Sequence, residues 1–398
     1  MISAASDSLI IIRGRGRVAA VGLDWAAATF QSRSLGSHTL AVGGIPEAVE
    51  QALQLLRKQT ASYRQLDRTV LLALLAARQA TAAAGWLPQP APALGVSIGS
   101  SRGATGRLEQ FHEDFLADGT VPAAASPLTT LGNVASWVAY DAGTAGGAAL
   151  SHSSTCSSAF QALGNAVAWL RAGMAERFLA GGTEAPLTDF TLAQMQALGI
   201  YSPFAAADFP CRPGAGRPST FVLGEGAAVF ALEKISRAAL HAERAQQPAA
   251  PVFCLEGVGF GFEAIGSKTG LSADGQHFQT AMREALWQAG AAPETVDAVV
   301  LHSPGTPAGD ASERRALHAV FGETLPDLVS NKWRIGHTLG ASAALSLDFA
   351  CHLLTAQAWP PAPFPTDLTP APTRPIRRVL INAAGFGGNA ASAVVSVV

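Results

Sequence analysis

The stretch SHSSTCSSAFQALGNAVAWLRAGMAERFLAGGTE, residues 151–184, decides the fold. SSAFQALGNAVAWLRAG (157–173) has small and apolar residues on nearly every side, so it reads as a buried helix. RFLAGGTE (177–184) reads as the strand that follows. Cys156 sits just ahead of that helix, between two pairs of small polar residues. A structural thiol ordinarily has apolar neighbours, whereas a strand-to-helix junction often carries a nucleophile. At a helix start, the dipole and unpaired N–H groups are expected to favour the thiolate. A small residue packed at the junction explains Cys156 equally well on this stretch alone.

Strand and helix patterns alternate on both sides of this segment. RVAAVGL (17–23) and ALGVSIGS (93–100) read as strands, and 46–59 and 67–85 as helices. The polar, proline-bearing AERAQQPAAP (242–251) reads as a linker. Beyond it, strands restart at 252–264, 296–304 and 377–386. Such alternation predicts an α/β fold with mostly parallel strands. FVLGEGAAVFALEK (221–234) and GFGGNAASAVVSVV (385–398) end the two halves alike, each with glycines before a β-rich run. Both are expected to form tight turns between antiparallel strands, a sign of internal duplication. The division falls into an N-terminal half, 1–248, and a C-terminal half, 249–398.

Composition excludes several classes of function. Of 398 residues, 48% are hydrophobic and 14% charged, which points to a large buried core. A net charge of −2 offers nothing to nucleic acid or an anionic membrane. The four cysteines are scattered without a CxxC pair, so neither a disulfide framework nor a thiolate metal site is expected. The N-terminal apolar run has its arginines after it, which makes a poor signal peptide. No apolar run is expected to approach the length needed to cross a bilayer; the nearest to it, 69–87, is interrupted by Arg78 and Gln79 and reads as a core helix, so no membrane insertion is expected. A cytoplasmic protein is the expectation.

Two later segments bear on Cys156. LHSPGTPAGDASE (301–313) puts His302 at a strand end, and SNKWRIGHTLGAS (330–342) puts His337 before a small-residue helix, with Lys332 five residues upstream. One histidine at a strand end is more often structural. Two at such mouths can converge on a cysteine at the equivalent mouth of the other half.

The ordered motifs STCSSAF, LAGGTEA, FVLGEGAA, HSPGTPAGDASE, NKWRIGHTLGAS and AAGFGG resemble those of the β-ketoacyl-acyl-carrier-protein synthases, the elongating condensing enzymes of the thiolase fold. The resemblance runs from about residue 16 to the end. It implies duplicated αβαβαββ halves in an α-β-α-β-α sandwich. It implies that Cys156 takes an acyl group, with His302, His337 and Lys332 catalytic. Phe386 matches the gate, and its N–H would join that of Cys156 in an oxyanion hole. Thr306, Ala384, Phe386 and Gly387 fall at substrate-binding positions, and Asp310 and Glu313 match supporting acids. No metal and no separate cofactor is implied. The implied partners are acyl- and malonyl-loaded acyl carrier protein, and a homodimer or heterodimer mate of the same kind.

The chain departs from the pattern at several points. Ser303 and Pro304 replace a glycine and a threonine, so one pantetheine hydrogen bond is expected to be missing. Ser346 stands where a glutamate often lies, which removes the expected partner of Lys332. Ala384 replaces a phenylalanine, which should widen the acyl pocket. The segment CRPGAGRPST (211–220) is altered, and the region before 46 looks short. The KW…GHT.GAS run looks like the ketosynthases of aryl-polyene or flexirubin-type pigment pathways. A chain-length-factor-like partner subunit is the main alternative, although such partners usually lack the cysteine. A cysteine hydrolase finds no support in the motif order. A degradative thiolase would carry a second cysteine near the C-terminus, and NAAGFGG has none.

Overall fold

The computed structural model describes residues 8–22, 25, 30–86, 94–144, 146–246, 251–264, 266 and 272–398. The first half opens with β1 (Ser8–Ala19), the hairpin β2 (Gln31–Leu35) and β3 (His38–Val42), and helices α1 (Glu47–Gln59) and α2 (Arg68–Ala83). Then come β4 (Leu94–Gly99), α3 (Thr105–Asp118), α4 (Ala125–Thr129), α5 (Asn133–Asp141) and β5 (Ala149–His152). It closes with α6 (Ser158–Arg171), β6 (Arg177–Glu184), α7 (Asp189–Ala197), β7 (Gly226–Ser236) and α8 (Arg237–Gln246). The second half contains β8 (Phe253–Phe262), α9 (Gln276–Ala289), β9 (Ala298–Val300), α10 (Pro307–Phe321) and β10 (Asp327–Val329). The single turn α11 (Lys332–Ile335), α12 (Ser342–Ala356), β11 (Arg378–Gly385) and β12 (Asn389–Val397) complete it.

The strand order β5-β4-β6-β7-β1 of the first half recurs as β10-β9-β11-β12-β8 in the second. In each, three parallel strands are followed by two antiparallel ones. The halves join edge to edge where β1 meets β8 at Ile11–Cys254 and Ile12–Phe253. Each half thus contains the expected αβαβαββ run, preceded by one further strand. Helices α6 and α12 touch each other and strands of both halves, forming the middle of five layers. Three apolar clusters follow from this: a central one around those two helices, and one under each outer helical layer.

Alternation in the first strand of each half explains the close outer layers. The Cβ positions at Gly14 and Gly16 would lie 2.2 and 2.0 Å from carbonyl oxygens of α2. Those at Gly257, Gly259 and Gly261 would lie 2.3, 2.3 and 2.0 Å from carbonyl oxygens of α9. Only glycine lets a helix backbone settle that near a strand. The arginines that follow these two glycines, Arg15 and Arg17, face the other way. Arg15 and Arg17 both pair with Asp348 of α12, which is buried and also accepts from Trp25. Burial would push its carboxyl up, but the two guanidinium groups hold it below the usual range.

Several expectations change. The first strand lies over Ser8–Ala19 rather than 17–23, and residue 23 is outside the described residues. The apolar run and its arginines form a central strand. Residues 242–246 of the expected linker end α8, and 247–250 lie outside the described residues. The tight turn is present between β11 and β12, but β6 and β7 are joined through residues 185–225, which include α7. Leu339–Ala356 is long and apolar enough by composition to cross a bilayer, against the expectation that no run reaches that length; 83% of it is buried within the protein.

Candidate active site

The turn before α6 is built to present one side chain. Ser158 Oγ accepts from the N–H of Ser154 at 3.0 Å and donates to the carbonyl of Thr155 at 2.5 Å. Thr155 takes φ +56°, a strained conformation for a branched residue. Cys156 follows, 8% exposed, two residues before the helix begins.

The expected thiolate is not what this setting favours. Burial, with Glu184 adding to it, pushes the Cys156 thiol up to about 12, against the opposing pull of Lys332 and Arg102. Desolvation outweighs the helix-start effect. Cys156 therefore rests as a neutral thiol.

His302 follows β9, and His337 lies between α11 and α12. Both are buried, their ring centroids are 5.3 Å apart, and both line the cavity that Cys156 faces. The backbone N–H of Ala384 donates to His302 Nδ1 at 3.2 Å, and that of Leu339 to His337 Nδ1 at 3.0 Å. Because a backbone N–H can only donate, each neutral ring carries its proton on Nε2. Burial, reinforced by the charge of Lys332, holds both imidazoles well below the ordinary histidine value. The site therefore holds two neutral Nε2–H donors.

Lys332 is 1% exposed and donates from Nζ to the Leu301 carbonyl at 3.4 Å. Burial lowers its pKa, and Glu313 is the first of the groups that oppose this. Ser346 instead donates to Asn331 Oδ1 at 3.3 Å, so Glu313 supplies the negative field that the missing glutamate left open. Glu313 also accepts from the N–H groups of His302 and Ser303, from Ser303 Oγ and from Asn382 Nδ2. Ser303 thus has a structural reason for replacing glycine. Asp310 accepts from the N–H groups of Gly214 and Gly305, and burial pushes it up to about 6.

The cavity measures about 530 Å³. Thr306, Ala384 and Phe386, three of the four positions assigned to substrate, line it together with Pro304. Gly387, with φ +87°, shapes the turn between β11 and β12 and is outside that lining. Gly385 presses against the turn that carries Cys156: a Cβ there would lie 1.7 Å from Thr155 Oγ1 and 2.8 Å from Cys156 N. That approach brings the backbone leading into Phe386 alongside the N–H of Cys156.

Two groups were missed by the sequence reading. Phe278 of α9 lines the cavity, shares a cluster with Ala384, and has its ring centroid 6.1 Å from that of His302. An aromatic ring is therefore present even though position 384 lacks one. Glu184, at the end of β6, is wholly buried beside the site. Its signal was an acid ending an otherwise apolar strand in LAGGTEA.

Residues 10–238 match the β-ketoacyl synthase N-terminal domain, and residues 253–363 match the C-terminal domain. The chain belongs to the β-ketoacyl synthase family. It is accordingly an acyltransferase of the condensing class. A 3-oxoacyl-[acyl-carrier-protein] synthase 2 of Coxiella burnetii is 30% identical over 356 residues, covering 84% of this chain and 83% of the relative. A β-ketoacyl synthase structure from Burkholderia phymatum shares the fold with a TM-score of 0.83 at 24% identity, covering 98% of this chain and all of that one. A ketosynthase solved in complex with its chain length factor, from Xenorhabdus doucetiae, gives a TM-score of 0.78 at 22% identity over the full length of both chains.

Proposed function

We propose that this β-ketoacyl synthase holds an acyl group on Cys156 and extends it by decarboxylative condensation with malonyl-loaded acyl carrier protein. The carrying observation is that Cys156 faces one cavity with two neutral imidazoles whose Nε2–H groups are left for substrate.

In the first step Cys156 Sγ attacks the carrier thioester. The new C–S bond forms as the pantetheine C–S bond breaks, and the thiol proton leaves with the departing sulfur. The N–H groups of Cys156 and Phe386 receive the transient oxyanion. In the second step the malonyl carboxylate leaves as CO2, and its C–C bonding pair becomes an enolate. Two Nε2–H donors stabilise the enolate oxygen. The enolate carbon then attacks the acyl-Cys156 carbonyl, forming a C–C bond and releasing the cysteine sulfur as a thiolate, which takes a proton from water to restore the neutral thiol. Lys332 keeps the imidazoles neutral, and Glu313 orients the His302 backbone. Asp310 braces the Gly305 turn next to Thr306.

The cavity suits a long, apolar, aryl- or polyene-type chain, since Pro304, Phe221, Phe278, Leu339, Ala384 and Phe386 line it. The apolar stretch Leu339–Ala356 is covered within the protein, in keeping with a soluble enzyme, and a cytoplasmic location is proposed for it. Two thiolase-like halves, 1–248 and 249–398, each contribute one side of the site. A chain-length-factor-like partner subunit would share the same fold, so the distinguishing measurement is chemical. Intact-mass analysis after incubation with acyl carrier proteins should show acylation at Cys156 that Cys156→Ala abolishes. Stable acylation of that variant elsewhere, or none in the wild type, would overturn the proposal.

A further inference from the structure

Glu184 belongs to the first half, yet it grips the turn that follows His337 in the second. Its Oε2 accepts from the N–H of Gly340 at 2.9 Å and of Ser101 at 2.6 Å. Its Oε1 accepts from Ser100 Oγ at 3.0 Å and the N–H of Arg102 at 3.1 Å. All four donors end on a side chain with no measurable exposure. A carboxylate can accept all of them; a carboxamide replaces one acceptor with a donor and would leave buried N–H groups opposed.

Gly340 directly follows Leu339, whose N–H donates to His337 Nδ1. Leu339 has φ +42°, so this turn is held in a conformation a branched side chain does not adopt unaided. It is also tightly enclosed. A Cβ at Gly340 would lie 2.3 Å from Ser101 N and 2.5 Å from Glu184 Oε2, and one at Gly182 would lie 2.9 Å from the Gly340 carbonyl. The ring orientation of His337 thus depends on a strained turn, and that turn is anchored by Glu184.

We infer that Glu184 is a positioning residue for His337: by anchoring the 339–340 turn across the two halves, it keeps the Leu339 N–H on Nδ1 and the Nε2–H aimed at the reacting thioester. This rests on the proposed role of His337. Glu184 itself does not touch substrate.

Two half-reactions separate positioning from general damage. Glu184→Gln should retain acylation of Cys156 by acyl carrier protein. CO2 release from malonyl carrier protein should fall on the order of tenfold to a hundredfold, as misplacing one catalytic group does. In a His337→Ala background, Glu184→Gln should cost nothing further, because both changes remove one function. Ser100→Ala, which withdraws a single donor from the same carboxylate, is the milder second variant. It should show a smaller loss with the same dependence on His337, and it provides the test if Glu184→Gln fails to fold. Losses that multiply in the His337→Ala background, or that strike acylation and CO2 release alike, would overturn the inference. Wild-type CO2 release in His337→Ala alone would instead overturn the role proposed for His337.

Discussion

The imidazoles of His302 and His337 meet nearly edge-on, at 81°, each pinned through Nδ1 by a backbone N–H from a different element. Neither ring has a carboxylate partner at Nδ1 that would stabilise a positive charge. His302→Ala or His337→Ala should therefore suppress CO2 release from malonyl carrier protein about a hundredfold or more. Acylation of Cys156 should survive in both. Counting released CO2 against acyl-enzyme mass checks both halves of this expectation.

The same neutrality has a pH consequence. With both pKa values well below 6.5 in the fold, the unfolded chain binds more protons than the native one as pH falls through that value. Stability from the buried neutral rings is complete above the unfolded pKa and declines below it. The two rings should add no inflection to the decarboxylation rate near pH 6.5, where an ordinary histidine would titrate; a fall there should instead follow Glu184, which burial pushes up to about 7, and Asp310, pushed up to about 6. Rate and urea-unfolding profiles taken together test this.

A neutral Cys156 thiol, pushed up to about 12, should react slowly with a small alkylating agent at neutral pH. Its alkylation rate should climb about tenfold per pH unit from 7 to 9 without a plateau, since the thiolate is the reactive form. A plateau near pH 7 would mean that the helix start prevails over burial.

Position 384 and Phe278 share one space. Ala384→Phe should crowd it and shift acceptance toward short saturated acyl chains, at a cost of about 1–3 kcal/mol for a misfit ring. Phe278→Ala should move the preference toward longer or rigid chains. Competition between short saturated and long polyenoyl carrier proteins reads both shifts. Equal preferences in all three proteins would detach chain selection from this wall.

Gly259→Val would drive a branched side chain into the α9 backbone, where even a Cβ lies 2.3 Å from two backbone atoms. The expected loss is about 3 kcal/mol or more, measured by urea unfolding. Gly36→Ala, where no atom lies within 4 Å of the added Cβ, should cost far less, set by its φ of +56° alone.

The meeting of Cys156, His302 and His337 at one cavity was legible because local chemistry marks them: small polar residues, glycines and prolines force loop mouths at strand and helix ends. The first strand was not legible over its full length. Its alternating arginines look solvent-facing until α12 supplies Asp348, far along the chain. Glu184 was hidden for the same reason, since Gly340 lies 156 residues later. Phe278 escaped notice because a phenylalanine near the start of an amphipathic helix reads as ordinary core. The neutral thiol was misjudged because a sequence shows the helix start but not the depth of burial.

The middle layer has a historical consequence. Helices α6 and α12 are each enclosed by the other and by strands from both halves. A chain of half this length would leave its counterpart of α6 or α12 bare on one side, an apolar surface that water does not tolerate. An ancestral half could have endured only as a two-fold pair, each copy covering the other's helix. Joining two such copies end to end would free them to diverge. One copy could then specialise in carrying the sulfur and the other in carrying the imidazoles, a division of labour denied to identical subunits.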